Sequence, residues 1–307
     1  MTQQQRERAA DLGLIGVAAI WGVNFTVVKV VLEELDPLAF NAFRFALAAT
    51  ALALLVRRLP GAARPEPGDV RRLVLLGILG NVVYQGCFIF GINATLAGNA
   101  SLLLATTPVW TIMLSSLLGQ ERLSLWVSVG AMGTLTGMVL VIFGRGDAIG
   151  VGGATLRGDL LMIAAAVLWA AYTVGSRPLV VRYGAVRVTA WSLWIGTPLL
   201  VLWGLPSIVR TDFGAVSPTA WAGVFYAGVL SIGLAYLLWY RAVGRLGNSR
   251  TAVYSNLVPV AALVTAWLWL GEIPSGLQLA GAAVILAGLT LARLGPRAHS
   301  PGPSSGR

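Results

Sequence analysis

The sequence predicts an all-α integral membrane protein with ten transmembrane helices, arranged as two inverted five-helix repeats. Three observations predict this fold: an apolar composition, long runs without charge, and a pattern that recurs in the second half. Of the 307 residues, 57% are hydrophobic and only 11% are charged, whereas a soluble domain carries about 25% charged residues. The composition therefore excludes an ordinary soluble enzyme and a disordered protein. The single cysteine, Cys87, excludes a disulfide scaffold.

The gaps between charged residues place the helices. A helix needs about 20 apolar residues to cross a bilayer core roughly 30 Å thick. In chain order the predicted spans are 12–28, 37–56, 73–92, 98–119, 123–144, 160–176, 188–209, 213–240, 251–271 and 273–292. The second span includes one charge, Arg44, and a polar turn at 93–99 separates the third span from the fourth. The first span has no evident cleavage site, so we expect it to be retained rather than removed as a signal peptide.

The distribution of arginines predicts the orientation. With the N-terminus in the cytoplasm, seventeen arginines fall on the cytoplasmic side and only Arg145, Arg157 and Arg210 on the other. This asymmetry follows the positive-inside rule and predicts a multi-pass protein of the inner (plasma) membrane with both termini in the cytoplasm. The net charge of +10 therefore requires no nucleic-acid partner.

The two halves of the chain repeat each other. Trp21 and Trp169 lie 148 residues apart, and Pro108 and Pro259 lie 151 residues apart. Each half holds five predicted helices, an odd number, so the second half begins on the opposite side of the membrane. Many alternating-access transporters have inverted repeats of this kind, with the substrate site between them.

The repeats also predict the domain organisation. A Gly-rich stretch separates the halves, and the only histidine, His299, lies in a polar C-terminal segment. The predicted units are a cytoplasmic tail 1–11, a first repeat 12–144, an extracytoplasmic linker 145–158, a second repeat 159–294 and a disordered cytoplasmic tail 295–307.

Short motifs recur in order along both halves. They are WGVNF at 21–25 followed by Lys29, FRF at 43–45, PV at 108–109, QE at 120–121, PV at 259–260 and GE at 271–272. Over residues 10–294 the chain resembles the EamA family of the drug/metabolite transporter superfamily. Two departures are Gln120, where a glycine often precedes the glutamate, and Ser192 at the place of Arg44 in the second repeat. The resemblance implies transport of amino acids and related metabolites, more often exported than imported.

Arg44 is the charge that lies deepest in a predicted span. It follows Pro37 by seven residues, or about 10 Å along a helix, and a charge at that depth usually faces the bundle or a cavity. Two interpretations stay open. Arg44 anchors a carboxylate or phosphate, or it bonds helix-end carbonyls or an acid such as Asp36. Lys29 lies nearer the outer end, where it can snorkel or take part in the outer pathway.

Polar and aromatic side chains at mid-span depth predict a central cavity, because polar groups inside a membrane need partners that substrate or water can supply. Some of these aromatic residues could instead belong to the interfacial belts. The candidate substrate-binding residues are Trp21, Asn24, Arg44, Tyr84, Gln85, Thr106, Thr107, Trp110, Trp169, Tyr172, Tyr236, Tyr240, Tyr254 and Asn256.

Other residues are expected to shape the helices. Pro108 and Pro259 fall within predicted spans, where a proline breaks the helix and can form a gate. Glu121 and Glu272 end helices, where a carboxylate opposes the helix dipole, so each is expected to have a partner such as a neighbouring helix N-terminus. Glycines in the fifth and tenth spans allow close packing inside the monomer or in a homodimer. They are Gly130, Gly133, Gly137, Gly281 and Gly288.

Several catalytic and metal-binding patterns are missing from the sequence. It contains no Walker loop, no His/Cys/Asp cluster with metal-ligand spacing and no nucleophile–base pair. We therefore predict no enzyme activity, no cofactor and no metal. Every Asp and Glu falls at a span end or in a loop, which disfavours cation/proton antiport through a buried acid.

The predicted function is secondary transport across the inner membrane. The protein would bind a small, mostly neutral or zwitterionic metabolite in a central cavity and export amino acids or related compounds by alternating access. An organic-anion or drug transporter using Arg44 and Lys29 is the first alternative. A non-transporting membrane scaffold or sensor is the second, and a membrane-embedded enzyme is the third. The expected partners are the substrate and the lipid bilayer, for a monomer or a homodimer.

Overall fold

A computed structural model describes residues 3–58, 64–94, 103–121, 124–143, 156–262, 264 and 275–294. The regular elements within these ranges are helices, in agreement with the predicted all-α class. They are α1 (Gln3–Leu32), α2 (Pro37–Arg57), α3 (Pro67–Ala94), α4 (Thr107–Leu117), α5 (Leu125–Phe143), α6 (Leu156–Tyr183), α7 (Ala185–Arg210), α8 (Pro218–Leu246), α9 (Asn248–Val253) and α10 (Gly276–Leu294). A 3₁₀ turn, Tyr254–Leu257, and helical residues 258–262 follow α9.

Within the described ranges, six helices are long and apolar enough to cross a membrane. They are α1 from Glu7 onward, α2, α3, α6, α7 and α8, and each covers one of the predicted spans. The predicted spans 98–119, 123–144, 251–271 and 273–292 include residues outside the described ranges. The count of ten transmembrane helices therefore remains a prediction.

Two helices begin inside segments that the charge pattern assigned to a tail or a linker. α1 begins at Gln3, inside the predicted tail 1–11, and α6 begins at Leu156, inside the predicted linker 145–158. Gaps between charges locate only the apolar part of a helix, and a helix can continue beyond it. Most of the predicted turn 93–99 and the predicted tail 295–307 lie outside the described ranges.

Prolines define three of the helix starts. Pro37, Pro67 and Pro218 lie in the first turns of α2, α3 and α8, where a fixed φ suits the helix and the missing N–H is not needed. At α2 the carboxylate of Asp36 also accepts a hydrogen bond from the backbone N–H of Leu38 at 2.8 Å. Asp36 is therefore the N-cap of α2.

Helices of one half pack against helices of the other half. α1 packs against α8, α3 against α6, α2 against α7, and α5 against α10. In the repeat, α1 corresponds to α6 and α3 to α8, so the pairs α1–α8 and α6–α3 are equivalent. The two halves thus form one interleaved body whose interface runs through its centre.

Glycines set the distance between α5 and α10. A Cβ built on Gly130 would lie 2.6 Å from the carbonyl oxygen of Gly288, and one on Gly137 would lie 2.6 Å from that of Gly281. Such contacts are too short for any side chain, so these helices approach backbone to backbone. The predicted close packing is confirmed, and it occurs inside the monomer.

Two equivalent polar contacts tie the halves together. The Glu34 carboxylate accepts hydrogen bonds from the backbone N–H and the hydroxyl of Ser217, both at 2.7 Å. Arg182 donates to Glu66 and, at 2.9 Å, to Asp69. Glu34 and Arg182 are 148 residues apart, and Glu66 and Ser217 are 151 apart. Each contact therefore joins the end of the first helix of one repeat to the start of the third helix of the other.

Candidate functional site

A cavity of about 100 Å³ lies between the two halves. Its walls come from α1, α2, α3, α6 and α8, together with the segment that leads into α4 and the segment that follows α9. The lining residues are Trp21, Asn24, Phe25, Arg44, Tyr84, Gln85, Phe88, Leu104, Ala105, Thr107, Trp169, Ser231, Ile232, Tyr236, Ser255, Val258 and Pro259.

The cavity brings together about half of the residues proposed from sequence. Those that line it are Trp21, Asn24, Arg44, Tyr84, Gln85, Thr107, Trp169, Tyr236 and Pro259. Those that do not are Thr106, Trp110, Tyr172, Tyr240, Tyr254, Asn256 and Pro108. Among the lining residues that the sequence analysis missed, Phe25 and Phe88 follow Trp21 and Tyr84 by four positions. That spacing places them on the same helix face, and it could have identified them.

Four aromatic rings form one wall of the cavity. The ring centroid of Trp169 lies 5.0 Å from that of Tyr236, 5.1 Å from that of Tyr84 and 5.7 Å from that of Trp21. The Trp21 and Trp169 rings meet edge to face, an arrangement that aromatic quadrupoles favour. The wall is therefore apolar and closely packed.

Equivalent residues of the two repeats touch each other at this cavity. Trp21 and Trp169, 148 residues apart, are in ring contact. Gln85 donates a hydrogen bond from Nε2 to the hydroxyl of Tyr236, 151 residues away, at 3.1 Å. Equivalent residues can meet only near the axis that relates the two repeats. The cavity therefore lies on that axis.

Arg44 reaches the cavity from α2 and is only 2% exposed. Its Nε donates to Oδ1 of Asn41 at 2.8 Å, and its Nη2 donates to Oε1 of Gln85 at 2.7 Å. The guanidinium carbon also lies 4.7 Å from the ring centroid of Phe40, a cation–π contact. These hydrogen bonds use two of the five N–H groups of Arg44. No carboxylate among the residues that the structure describes pairs with it.

The structural interpretation of Arg44 offered from sequence is wrong in its details. Asp36 caps α2, and the hydrogen-bond acceptors of Arg44 are the side-chain amides of Asn41 and Gln85 instead of helix-end carbonyls. The charge therefore stays available to a ligand. The side chain of Lys29 lies outside the described part of the structure, so its role in the outer pathway remains a prediction.

Asn24 is a second polar group in the cavity wall. It is 8% exposed, and its buried Oδ1 has no hydrogen-bond partner within the described ranges. A buried acceptor without a partner is unfavourable by about 1–3 kcal/mol. A ligand donor in the cavity could supply the missing bond.

Four of the predicted residues lie behind the cavity or beside it, and two of them, Tyr172 and Tyr240, are buried. Tyr172 and Tyr240 pack against Trp169 with ring centroids 5.8 Å and 6.4 Å from it. Trp110 donates from Nε1 to the hydroxyl of Thr106 at 3.0 Å. The depth of a residue in a predicted span does not say which face of the helix carries it.

Tyr254 and Asn256 connect helices instead of lining the cavity. The Tyr254 hydroxyl donates to Oδ1 of Asp11 at 2.8 Å, and Nδ2 of Asn256 donates to the hydroxyl of Thr134 at 2.8 Å. Asp11 precedes the predicted span 12–28, yet it is only 5% exposed, because α1 begins earlier. One carboxylate is therefore buried near the start of α1, although its position in the sequence indicated a span end.

The prolines begin helical pieces instead of kinking continuous helices. Pro108 lies in the first turn of α4, directly after a turn at 105–106. Pro259 follows the 3₁₀ turn Tyr254–Leu257. The expected interruption is present in both halves, but each proline occupies a first-turn position that requires no N–H.

Glu121 has the kind of partner that its position predicts. At the end of α4, its carboxylate accepts hydrogen bonds from the backbone N–H groups of Asn248 and, at 3.1 Å, Ser249. Nη1 of Arg177 lies 3.4 Å from the same carboxylate. Glu121 therefore caps the start of α9 and joins the two halves. The equivalent Glu272 lies outside the described residues.

Two π-helical segments flank the cavity. They are Leu79–Val83 within α3 and Tyr226–Leu234 within α8. Gln85 closely follows the first, and Ser231 lies in the second with its carbonyl accepting a hydrogen bond from Nε1 of Trp21 at 3.0 Å. π turns are rare and occur often at functional sites. No pattern in the sequence predicts these π-helical segments.

A second cavity, of about 440 Å³, lies beside the turn between α1 and α2. Its carboxylates already have partners. Glu34 accepts from Ser217, Asp36 caps α2, and Asp212 accepts from the backbone N–H of Gly214 at 3.0 Å. No group of three His, Cys, Asp or Glu side chains within the described ranges could hold a metal ion.

Comparisons with known proteins agree with the repeat pattern. The sequence model of the EamA-like transporter family matches residues 8–143 and again residues 156–294. A probable terminal-alkyne amino-acid exporter of Streptantibioticus cattleyicolor is 30% identical over 279 residues, which cover 91% of each chain. A probable amino-acid metabolite efflux pump of Salmonella typhimurium is 30% identical over 308 residues, which cover 94% of this chain and 96% of that protein. One solved crystal structure has the same fold, with a TM-score of 0.78 at 22% identity over 94% of this chain and 97% of its own.

Proposed function

The chain belongs to the EamA-like transporter family, and on this premise we propose that it exports amino acids or related small metabolites from the cell. The observation that carries the proposal is the cavity at the centre of the interface between the two halves. Substrate sites of inverted-repeat transporters lie at such an interface. Two relatives that are 30% identical are named as a probable amino-acid exporter and a probable amino-acid metabolite efflux pump.

The proposed membrane arrangement is ten transmembrane helices in two inverted repeats in the inner membrane, with both termini in the cytoplasm. Six helices of sufficient length and apolarity support it, as does the excess of arginines on one side. The equivalent contacts of Glu34 with Ser217 and of Arg182 with Glu66 support the symmetry. The proposed repeats are 12–144 and 159–294. The proposed partners are the small-molecule substrate and the lipid bilayer, for a monomer or a homodimer.

The proposed mechanism is alternating access to the central cavity. At one end of the bundle, Glu121 of the first half holds Asn248 and Ser249 of the second. Substrate can pass that end only if this contact opens. Because the walls come from both halves, a small rotation of one half against the other would expose the cavity to one side at a time.

An organic-anion or drug transporter is the second candidate, and Arg44 favours it. An arginine that lines the cavity and has no carboxylate partner in the described structure suits any small anion.

Solute counterflow in proteoliposomes tests the proposed function. Liposomes preloaded with an unlabelled amino acid should show a transient overshoot of the same amino acid added outside in labelled form, because exchange through a carrier needs no driving force. The panel contains aliphatic and aromatic amino acids and, in a second series preloaded in the same way, organic anions. Protein-free liposomes, and liposomes preloaded with glucose, are the controls. An overshoot for organic anions alone would support the second candidate, and no overshoot for either class would contradict both.

A further inference from the structure

We infer that the central cavity binds the carboxylate of its ligand at Arg44, and that the ligand is a small α-amino acid with an apolar side chain. The inference rests on the proposed function and deepens it, because it specifies which chemical groups the site requires. Four features of the cavity carry it: a buried charge, the placement of that charge on one side, a polar group without a partner, and the size of an aromatic chamber.

The charge of Arg44 needs a counterion that the described residues do not supply. The side chain is 98% buried, and its two acceptors, Asn41 and Gln85, are neutral amides. A buried ion is unfavourable unless it is paired. The three remaining N–H groups can form the paired hydrogen bonds that guanidinium makes with a carboxylate. A ligand carboxylate would therefore compensate the charge each time the site is filled.

The charge lies on one side of a symmetric scaffold. The residue equivalent to Arg44 in the second half is Ser192, which is absent from the cavity lining. Its hydroxyl bonds Tyr172 and accepts a hydrogen bond from Nδ2 of Asn81 at 3.1 Å. The cavity thus has an anion-binding end beside α2 without a counterpart beside α7. Such a site orients its ligand.

Asn24 is suited to the other charged group of an amino acid. Its Oδ1 is an acceptor without a partner within the described ranges, and the residue lines the cavity from α1. An ammonium group can only donate hydrogen bonds, so it needs an acceptor such as this Oδ1. Arg44 and Asn24 together therefore match a ligand with both a carboxylate and an ammonium group.

The dimensions and walls of the cavity limit the rest of the ligand. The cavity measures only about 100 Å³, so it suits a small ligand. Trp21, Tyr84, Trp169 and Tyr236 present ring surface to that space. A branched aliphatic side chain of the size found in valine or leucine fits this volume and this surface.

Isothermal titration calorimetry of the purified wild-type protein in detergent tests the inference directly. The ligands are L-leucine, its isosteric neutral amide L-leucinamide, and 4-methylpentanoate, which lacks the amino group. Leucine should bind at least about tenfold more tightly than leucinamide, because only its carboxylate can pair with Arg44. Equal affinity for leucine and leucinamide, or no binding of leucine, would overturn the inference.

Three variants locate the charge and the polar group. Arg44→Gln should lose the preference for leucine over leucinamide, Arg44→Lys should retain part of it, and Asn24→Ala should weaken leucine but spare 4-methylpentanoate. Arg241→Gln, which removes an exposed arginine of α8, is the matched control and should leave all affinities unchanged. A folded Arg44→Gln protein that keeps the wild-type preference contradicts the assignment. If this variant does not fold, the wild-type comparison of leucine with leucinamide decides alone.

Binding and counterflow separate this inference from the proposed function. Carboxylate-selective binding without counterflow would leave the inference standing and overturn the transport proposal. Counterflow of amino acids together with equal binding of leucine and leucinamide would support the transport proposal and overturn the inference.

Discussion

The carboxylate of Glu34 illustrates how one exposed residue can couple the two halves. Ser217 donates to it through both its backbone N–H and its hydroxyl. These hydrogen bonds favour the charged form, so they lower the pKa of Glu34 below its usual value. A carboxyl whose pKa is lowered by folding stabilises the native state above its unfolded pKa, and this contribution is lost as the pH falls through the folded pKa.

Replacing Glu34 should therefore change the acid sensitivity of the protein. In detergent at pH 6, Glu34→Gln should have a lower Tm than wild type. The difference should shrink as the pH falls below the ordinary glutamate pKa of about 4.3, where wild type loses the contribution. Differential scanning fluorimetry from pH 7 to pH 3 measures this. Glu33→Gln, in the same exposed turn, is the control, and a Tm difference for Glu34→Gln that is constant with pH would contradict the prediction.

For single residues, the sequence predicted which side chains are unusual inside a membrane better than it predicted the direction in which each one faces. Arg44, Asn24 and Trp169 were found because polar or large aromatic groups at mid-membrane depth need an explanation. Tyr254 and Asn256 satisfied the same criterion, but they bond Asp11 and Thr134 on neighbouring helices. The rotation of each helix about its own axis decides whether such a residue faces the cavity or a neighbouring helix. That rotation depends on packing against helices that are distant in the sequence.

At the scale of elements, the pair α5–α10 depends on the absence of side chains at two positions. Gly130 and Gly137 face carbonyl oxygens of α10 at distances that exclude a Cβ, whereas a Cβ on Gly133 would lie 3.5 Å from Cα of Gly288. The same helix therefore contains two glycines that packing requires and one that it does not.

Gly130→Ala should separate α5 from α10 and destabilise the protein by about 1–3 kcal/mol. Gly133→Ala, three residues away on the same helix, should change stability by less than about 1 kcal/mol. Thermal unfolding of both variants in one detergent compares them. Equal Tm values for the two variants would show that the backbone contact at Gly130 is not required.

Helix interruptions divide into those that sequence can predict and those that it cannot. Pro108 and Pro259 predicted an interruption of the helix because proline lacks an N–H. In the structure, each begins a helical piece instead of bending one. The π segments Leu79–Val83 and Tyr226–Leu234 have no such marker. Both segments consist mainly of residues that also occur in continuous membrane helices, so the wider turn depends on the surrounding packing.

At the scale of the whole molecule, the contact between α4 and α9 joins the halves on one side of the cavity. Glu121 holds the first two residues of α9 and lies 3.4 Å from Arg177 of α6. The contact is largely sheltered, since the Glu121 side chain is 17% exposed. In the proposed alternating-access cycle, this contact would break when the halves separate on that side.

Glu121→Gln should weaken this closure by about 1.5–3 kcal/mol, the range for hydrogen bonds to a charged group. We expect a lower Tm and a greater accessibility of the cavity to water, which hydrogen–deuterium exchange of the peptides around 248–259 would report. Glu66→Gln, which affects a pair with a carboxylate side chain 60% exposed, should have a smaller effect. Unchanged exchange in a folded Glu121→Gln protein would contradict this account.

The architecture was more predictable than the site because repetition and hydropathy act over many residues. The all-helical class and six spans follow from charge-free runs. The family follows from motifs that occur twice at nearly constant spacing. No single span predicts which helices of the two halves pack against each other, since that packing arises from contacts between residues about 150 positions apart.

The two π segments occupy equivalent places in the two repeats. A π turn contains an extra residue relative to an α turn, because its hydrogen bonds run from i to i+5. Shifted by the repeat offset of 151, Leu79–Val83 coincides with the end of Tyr226–Leu234. The wider turn thus lies just before Gln85 in one repeat and just before Tyr236 in the other, so the two residues that meet across the cavity share it.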